Sequence, residues 1–242
     1  MRQNIVVFTG AGISKESGLS TFRDSDGIWT KYNPDIVATP QGFEADPETA
    51  LMFYNEMRTA VAQAHPNHAH IALAKLERAH NVTVITQNID DLHERAGSSN
   101  VLHLHGELNK VTSSRNRLDP RCIKELSLES PIRLGDLAVD GSQLRPFVVM
   151  FGEYLSDMSK AVRIVKDADI FVVIGTSLNV FPANQLLNYA HSETLRYIID
   201  PNDIKVPNGY RHIKNTATKG VDIFINELTT LINNIYTNDG FD

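Results

Sequence analysis

Short runs of apolar, mostly β-branched residues alternate along this chain with longer segments whose apolar residues recur every three or four positions. The predicted strands are Ile5–Thr9, Val82–Thr86, Val101–Leu104, Phe147–Val149, Ile170–Ile174 and Tyr197–Ile199. The predicted helices are Pro47–Ala64 (with Asp46 as its cap), Ala69–His80, Met158–Lys166, Ala183–His191 and Val221–Tyr236. This alternation predicts an α/β fold in which helices cover both faces of a mostly parallel sheet. Ligands of such sheets bind beyond the carboxyl ends of the strands.

One segment does not follow this pattern. From about Lys110 to Arg145 the chain is polar, contains prolines and shows no sustained periodicity. We therefore expect a small inserted module within a single catalytic domain spanning residues 1–242. The sheet core would comprise about residues 1–30, 80–106 and 146–242. The small module would combine a helical insertion at about 31–79 with a polar insertion at about 107–145.

Charge and cysteine content exclude several classes of protein. The formal net charge of −6 argues against binding of nucleic-acid phosphates but is compatible with docking of a lysine-bearing peptide. The only cysteine, Cys122, permits neither a disulfide framework nor a cysteine-rich metal site. The first apolar run, Ile5–Phe8, is too short for a signal peptide, and no window approaches the roughly 18 apolar residues of a membrane span. We therefore expect a cytoplasmic enzyme that does not act at a membrane.

The first motif is a glycine-rich loop, Gly10-Ala11-Gly12-Ile13-Ser14, directly after a predicted strand. Glycines there let a backbone approach a pyrophosphate closely, and a helix start points free N–H groups at the anion. The usual dinucleotide fingerprint needs another glycine where this chain has Lys15, so the standard hydride-transfer signature is broken. A tight turn at the strand end is the alternative interpretation.

Two other strand ends carry polar groups suited to a nucleotide. Thr86-Gln87-Asn88-Ile89-Asp90 offers amide and carboxylate groups to a sugar or a carboxamide, and a helix N-cap at Asn88 or Asp90 is the alternative. Gly175-Thr176-Ser177 offers backbone N–H groups and hydroxyls to a phosphate or a ribose, although a plain strand-to-helix turn would look similar.

Leu102-His103-Leu104-His105-Gly106 places two histidines on one face of a strand. We interpret His105 as a general base, because a histidine pKa lies near working pH. His103 more naturally fits a buried core histidine. A metal site is the less favoured alternative, because its other ligands would have to come from the distant run that contains His65, His68 and His70.

Taken in this order, these elements resemble the sirtuin family from about Ile5 to Leu231, with a gap only in the polar insertion. The segments that correspond to family signatures are Gly10–Ser14, Thr21-Phe22-Arg23, Thr86–Asp90, His105-Gly106 and Phe151-Gly152-Glu153. The combination is highly specific, although each part is not. The segments most similar to bacterial sirtuins of the desuccinylase type are Asp26–Trp29, Phe53–Asn55 and Asn88–Gly97.

The resemblance implies a Rossmann-like core and an NAD-consuming protein-lysine deacylase, a transferase acting on NAD. It would remove acetyl groups, with succinyl and malonyl as further candidates, and give nicotinamide and an O-acyl-ADP-ribose. The acyl-lysine carbonyl oxygen would attack the nicotinamide ribose carbon and expel nicotinamide. His105 would then deprotonate a ribose hydroxyl, whose partner hydroxyl attacks the imidate.

The resemblance also assigns roles to individual residues, with His105 and Asn88 as the catalytic pair. The residues implied for NAD are Gly10, Ala11, Gly12, Ile13, Ser14, Thr21, Phe22, Arg23, Trp29, Gln87, Asn88, Ile89, Asp90, Gly175, Thr176, Ser177, Asp200 and Ala217. The residues implied for the acylated peptide are Tyr54, Met57, Arg58, Val148, Phe151, Gly152, Glu153 and Val180. The peptide would pair as a strand between Val148–Glu153 and Asn179–Phe181. Asp200 replaces the asparagine that usually binds the adenine ribose, and a carboxylate can still accept both ribose hydroxyls.

The acyl pocket departs from the family pattern. Desuccinylating relatives place a tyrosine and an arginine three residues apart on a helix. Here Tyr54 matches, but Met57 stands at the arginine position and Arg58 follows. Arg58 would share the helix face of Tyr54 and bind a distal carboxylate, or else Met57 lines an apolar acetyl pocket and Arg58 is solvated. We slightly favour activity on both acyl classes, because the tyrosine is kept.

The polar insertion also departs from the family, which typically carries two cysteine pairs there for a structural zinc. With Cys122 alone, no zinc is expected, and the insertion must be ordered by other means or be loosely ordered. Three alternatives to a deacylase stay open. They are an ADP-ribosyltransferase or NAD hydrolase within the family, an oxidoreductase that uses the same cradle, and a non-catalytic NAD-sensing module.

Overall fold

The structure, a computed structural model, describes residues 2–21, 27–178 and 180–238. Its strands are β1 (Asn4–Thr9), β2 (Asn81–Thr86), β3 (Val101–His103), β4 (Gly106–Ser113), β5 (Lys124–Glu125), β6 (Leu144–Val148), β7 (Ile170–Ile174), β8 (Leu195–Ile199) and β9 (Arg211–Ile213). Its α-helices are α1 (Gly12–Lys15), α2 (Pro34–Val37), α3 (Pro40–Ala45), α4 (Pro47–Gln63), α5 (His68–Leu76), α6 (Leu92–Arg95), α7 (Met158–Lys166) and α8 (Ala217–Asn238). Ile28–Thr30 and Ala183–Asn188 are 3-10 helices.

The larger sheet has six strands in the order β3-β2-β1-β7-β8-β9, and every neighbouring pair is parallel. Side chains of the central strand β1 alternate between its two faces. Ile5 and Val7 pack with α5 and α8, whereas Val6 and Phe8 pack with α7. Burial on both faces explains the unbroken apolar sequence of β1. The predicted α/β fold, with helices on both faces of a parallel sheet, is confirmed.

The smaller sheet has three antiparallel strands in the order β5-β4-β6. The apolar segment predicted as the strand Phe147–Val149 belongs here, as β6, and not to the parallel sheet. Strand β4 has no counterpart among the predicted strands, because its sequence mixes polar residues such as Asn109 and Lys110 with buried ones such as Leu108. The predicted helix Ala183–His191 is a 3-10 helix instead.

Helix α4 begins where the sequence predicts. The Asp46 carboxylate accepts a hydrogen bond from the Thr49 N–H (3.0 Å), and Pro47 occupies the first turn. The apolar face of α4 packs into a second core, which also contains residues of α2, α3, β4 and β6. The smaller sheet and these helices therefore share one apolar core beside the larger sheet.

Helix α5 lies within the 31–79 stretch predicted for the small module, yet Ala69 and Leu73 pack against the larger sheet. We therefore propose that the helical insertion ends before α5. Among the described residues, no helix has both the length and the apolarity to cross a membrane.

Candidate active site

Three loops meet at the carboxyl edge of the larger sheet, at the point where the strand order reverses. The chain runs from β1 outward through β2 and β3, and then from β7 outward in the opposite direction. The loops are Gly10–Ser14 after β1, Gln87–Asp90 after β2 and Gly175–Ser177 after β7. A reversal of this kind leaves a crevice in which ligands of parallel sheets bind.

The glycines of the first loop allow it to contact the loop after β7. The Gly10 N–H donates to the Ile174 carbonyl (3.0 Å) and the Gly12 N–H to the Gly175 carbonyl (2.8 Å). A Cβ on Gly12 would lie 2.6 Å from the Gly175 Cα, and Gly175 itself has a φ of +61°. The N–H groups of Gly10 and Gly12 are therefore engaged between the two loops, and pyrophosphate binding by the rest of the segment stays a prediction.

Asn88 joins the first two loops. It is buried, and its amide nitrogen donates to the Gly10 carbonyl (3.2 Å) and to the Ser14 hydroxyl (3.2 Å). The Ser14 hydroxyl in turn donates to Asp90 (3.0 Å), and the backbone N–H of Asn88 donates to the Thr86 hydroxyl (3.0 Å). Within residues 2–21, 27–178 and 180–238, no hydrogen bond reaches the amide oxygen of Asn88. The amide oxygen of Asn88 is therefore available as a hydrogen-bond acceptor, while the hydrogen bonds of its amide nitrogen hold the side chain in place.

Gln87 and Asp90 complete this polar surface. The Thr176 hydroxyl donates to the side-chain oxygen of Gln87 (2.9 Å), which ties the loop after β7 to the loop after β2. Burial raises the pKa of Asp90, and hydrogen bonds from the Leu92 N–H and the Ser14 hydroxyl partly oppose that rise. The Asp90 carboxylate also accepts from the N–H of Leu92 at the start of α6 (3.1 Å), but Asp91 and not Asp90 is the N-cap residue of that helix.

His105 lies beside the loop after β2. Its Nδ1 is 2.8 Å from the Gln87 carbonyl oxygen, which can only accept, so Nδ1 carries the hydrogen and Nε2 carries the lone pair. Burial lowers the pKa of His105, with a smaller opposing contribution from the Gln87 carbonyl. The next residue, Gly106, has a φ of +78°, and a side chain there would collide with the Phe147 carbonyl. This turn leads the chain from the larger sheet into β4.

The histidines considered as metal ligands do not converge. His68 contacts Asp222 at the surface (2.8 Å), and His70 stacks edge-on against the buried His93. No group of three or more histidine, cysteine, aspartate or glutamate side chains in the part of the chain that the structure describes is arranged to hold a metal ion.

The structure describes some of the other residues predicted for NAD, and their role in binding it stays a prediction. Thr21 ends the first described range, and Phe22 and Arg23 lie outside the described residues. Trp29 stacks edge-on against Phe53 with ring centroids 4.8 Å apart. Ile89 packs against the second core, and Ser177 is half-buried.

Asp200 and Ala217 follow β8 and β9 at the far side of the same edge. Asp200 is buried, and one of its carboxylate oxygens accepts from the Asn202 N–H (2.9 Å) and from the Asn202 side-chain amide (3.0 Å). Ala217 is the buried first residue of α8. One of the two Asp200 carboxylate oxygens thus already accepts hydrogen bonds from within the protein.

The segment predicted to pair with a peptide is only partly extended. Val148 ends β6 and is buried, and Phe151 and Gly152 then form a turn that the Glu153 N–H closes onto the Met150 carbonyl (3.0 Å). The expectation of a continuous strand to Glu153 is wrong, because Gly152 has a φ of +87°. On the other side of the predicted groove, Val180 is exposed, and Asn179 lies outside the described residues.

Glu153 faces inward and not toward a peptide. Its Oε2 accepts from Arg145 (2.7 Å) and from the Met150 N–H (2.8 Å), and lies 3.5 Å from Nε of Arg117. These contacts hold the turn at Phe151 against the smaller sheet. Burial raises the pKa of the neighbouring Tyr54 above its ordinary value, with the charges of Arg145 and Glu153 acting in opposite directions.

Comparison with known proteins gives the family. The model of the Sir2 family matches residues 10–182. This chain belongs to the Sir2 family. An NAD-dependent protein deacylase of Bacteroides thetaiotaomicron is 52% identical over 223 residues, which are 91% of this chain and 95% of that protein. An NAD-dependent protein deacylase of Helicobacter pylori is 49% identical over 199 residues, which are 82% of this chain and 85% of that protein.

Solved Sir2 structures match along most of the chain. A Sir2 homologue in complex with NAD gives a TM-score of 0.81 at 38% identity and covers 94% of this chain and 90% of that one. A Sir2 protein with a deacetylated p53 peptide and 3'-O-acetyl ADP-ribose gives 0.77 at 31% identity and covers 92% of each chain. The predicted sirtuin family and the Rossmann-like fold are confirmed.

The surroundings of Arg58 contradict the solvated role considered for it in this Sir2 chain, and the acyl-binding role stays untested. Its side chain is 0% exposed, so it is not solvated. Its guanidinium donates to the Leu108 carbonyl, to those of Ser127 (2.6 Å) and Ser130 (3.1 Å), and more weakly to that of Leu126 (3.3 Å). Arg58 therefore joins α4 to the polar insertion through its two terminal nitrogens, while its buried Nε has no partner among the described residues. Met57, one position earlier, is half-buried against the second core.

A second polar cluster closes the two ends of the polar insertion. The Ser113 hydroxyl, at the end of β4, lies 2.6 Å from Asp140 and 2.8 Å from the Ser142 hydroxyl. It also accepts from the N–H groups of Arg115 (3.0 Å) and Asn116 (3.1 Å). Hydrogen bonds from Ser113 and Ser142 lower the pKa of Asp140 to about 2, so its carboxylate stays charged. Hydrogen bonds at Arg58 and Ser113 thus help to order the polar insertion of this Sir2 chain.

Proposed function

We propose that this Sir2 chain is an NAD-dependent protein-lysine deacylase in which His105 is the general base. It acts on NAD and on acylated lysine, and the relatives at 45% to 52% identity that support this are named NAD-dependent protein deacylases. One observation is the strongest support for assigning His105 as the general base. Nδ1 of His105 donates to Gln87, and within the described ranges its Nε2 has no partner.

The groups at the carboxyl edge fit a dinucleotide. When bound, NAD supplies a ribose from which nicotinamide leaves and whose hydroxyl groups receive the acyl group. Gln87, Asn88 and Asp90 would hold the nicotinamide ribose and carboxamide, because they combine an open amide acceptor with a charged carboxylate. The loop Gly10–Ser14 would lie along the pyrophosphate, and Gly175–Ser177 would contact phosphate and the adenosine ribose.

His105 would take a proton from a ribose hydroxyl at Nε2. The lowered pKa keeps the ring neutral at neutral pH, which is the form that accepts a proton. Once Nε2 is protonated, the Gln87 carbonyl still accepts from Nδ1 and stabilises the imidazolium, so the ring keeps its orientation through the step.

We propose that the preferred acyl group is uncharged, such as acetyl. Met57 stands where desuccinylating relatives have an arginine, and the guanidinium of Arg58 is used by carbonyls of the polar insertion. A succinyl carboxylate would then find the Tyr54 hydroxyl but no cation supplied by α4. This replaces our sequence-based preference for activity on both acyl classes.

We further propose that the protein acts in the cytoplasm, on protein substrates, without binding nucleic acid or membranes. The formal net charge of −6 supports this, because a nucleic-acid-binding or membrane-surface protein would carry an excess of basic residues.

The deciding experiment uses purified protein, NAD and matched acetyl-, succinyl- and malonyl-lysine peptides, with products identified by mass spectrometry. We expect nicotinamide, free lysine and O-acyl-ADP-ribose in equal amounts, fastest with the acetyl peptide. Transfer of ADP-ribose to the peptide, or NAD cleavage that is independent of the peptide, would instead support the transferase or hydrolase alternatives. A change in nicotinamide absorbance would indicate an oxidoreductase, and binding without turnover an NAD sensor.

A further inference from the structure

A second histidine, two residues before His105, is held between a carboxylate and the loop after β2. The His103 side chain is only 6% exposed. Its Nδ1 lies 3.0 Å from the Asn88 carbonyl oxygen and its Nε2 lies 2.8 Å from Oε1 of Glu94 on α6. Both partners are acceptors, so the ring satisfies both only when each nitrogen carries a hydrogen. His103 is therefore buried, as the sequence predicts for a core histidine, and its two acceptor partners require the imidazolium form.

The charges around His103 support this protonation state. Burial on its own lowers the pKa of His103, but the hydrogen bond and charge of Glu94, together with Glu107, outweigh burial and raise it. The other described ionisable groups that interact with this pair are His93 and Asp90 through His103, and His70 and Lys110 through Glu94.

The two histidines hold consecutive carbonyls of one loop. His105 donates to the Gln87 carbonyl, and His103 donates to the Asn88 carbonyl. Strand β3 ends at His103 and His105 follows just beyond it, so both rings lie beside the loop that follows the neighbouring strand β2. With both carbonyls fixed, the backbone of this loop has little freedom to rotate, and the Asn88 side chain stays on Gly10 and Ser14.

We propose that Glu94 and His103 form a positioning pair for the release of nicotinamide. Glu94 keeps His103 charged and oriented, and His103 keeps the Asn88 carbonyl, and with it the Asn88 and Asp90 side chains, in place. The positive ring also favours the ionised form of the buried Asp90. Neither residue of the pair touches the reacting atoms. This inference rests on the deacylase function proposed above.

The test compares Glu94→Ala, Glu94→Gln and His103→Gln with wild type. The matched control is Asp222→Ala, which breaks the exposed His68–Asp222 contact of the same 2.8 Å length. Nicotinamide release is measured in a single turnover at saturating NAD and acetyl peptide, together with KM for the peptide and Tm. We expect Glu94→Ala and His103→Gln to slow release by about 10- to 100-fold, the usual effect of misplacing a reacting group by roughly an ångström. KM for the peptide should not change.

The Glu94→Gln variant separates positioning from folding, because it keeps an acceptor for His103 but removes the charge. We expect partial recovery relative to Glu94→Ala, and a rate whose decline with rising pH begins at a lower pH than in the wild type, since the Glu94 charge no longer raises the pKa of His103. If Glu94→Ala and His103→Gln release nicotinamide as fast as Asp222→Ala, the proposed positioning role of Glu94 and His103 is wrong. A parallel loss of Tm and rate with no recovery and no pH dependence in Glu94→Gln would also overturn it. A wild type that releases no nicotinamide would instead refute the proposed function.

Discussion

Nδ1 of His105 lies 2.8 Å from the backbone oxygen of Gln87, and this contact determines which ring nitrogen is available for chemistry. A backbone carbonyl cannot donate, so the hydrogen of the neutral ring stays on Nδ1. The lone pair on Nε2 is therefore available without any rearrangement. The same loop that would hold nicotinamide thus also orients the base.

Replacing His105 with alanine should abolish deacylation while NAD binding persists. Loss of a positioned general base costs roughly 10²–10⁴ in rate, whereas the cradle residues Asn88 and Asp90 keep their contacts with Ser14. Deacylation by mass spectrometry and NAD binding by calorimetry measure the two effects. His68→Ala, at the surface, is the control. Near wild-type turnover in His105→Ala would refute the base assignment.

The pH profile should show a base whose pKa is below the ordinary histidine value. Burial lowers the pKa of His105, and the neutral form is the active one. Activity should therefore be complete above pH 6.5 and fall only as pH drops through the lowered value. A profile of kcat/KM against pH gives the pH at which activity falls, and an NMR titration of the His105 ring shows whether His105 is the group responsible. A limb centred above pH 7 in that titration would contradict the proposed environment.

The strands that build the site could be predicted from the sequence, because β1 and β7 are buried on both faces and read as unbroken apolar runs. The loops that follow them carry short motifs and could be predicted as well. The role of Arg58 could not. Its partners are backbone carbonyls 50 to 72 residues further along the chain, and no side-chain pattern encodes a carbonyl acceptor.

The protonation of His103 was equally hidden from the sequence. Glu94 lies nine positions earlier, on a different element, and only the fold brings its carboxylate to the ring. The hydrogen bonds of Gly10 with Ile174 and of Gly12 with Gly175 are a third case, because glycines that contact another part of the chain and glycines that contact a phosphate give the same motif.

Arg58→Met should destabilise the protein without changing acyl preference. The substitution leaves the buried carbonyl of Leu108 and the partly buried carbonyls of Ser127 and Ser130 without these donors, and a buried polar group left unpaired costs about 1–3 kcal/mol. We expect the free energy of unfolding in urea to fall by at least about 3 kcal/mol. Acetyl and succinyl rates should fall together. The exposed Arg163→Met on α7 is the control. A selective loss of the succinyl rate at unchanged stability would restore Arg58 as an acyl-binding residue.

The polar insertion should fold without zinc. A structural zinc contributes on the order of 10 kcal/mol where present, so chelators would unfold a zinc-dependent form, whereas we expect Tm and activity to be unaffected by them. Ser113→Ala should lower the free energy of unfolding by about 1–3 kcal/mol, because the buried hydroxyl links both ends of the insertion. Ser114→Ala is the control. Stoichiometric zinc in metal analysis, or equal stability of the two variants, would contradict this account.

The last prediction concerns the acyl group. Met57 lies three positions after Tyr54 on α4, so the two share one face of the helix. Met57→Arg would place a guanidinium beside the Tyr54 hydroxyl, where it can bind a carboxylate with paired donors. We expect the ratio of succinyl to acetyl rates to rise about tenfold, the effect of roughly 1.4 kcal/mol.

The control for Met57→Arg is Met52→Arg, because Met52 lies on the same helix but is 52% exposed. The double variant with Tyr54→Phe should lose part of the gain, since a succinyl carboxylate would then have only the arginine. Rates with matched acetyl and succinyl peptides, each at saturating NAD, measure the ratio. Met57→Arg could fold and keep its acetyl rate but show no rise in its succinyl rate. In that case α4 does not form the part of the acyl pocket that contacts the end of the acyl chain. The uncharged-acyl preference would then have to arise elsewhere in the site.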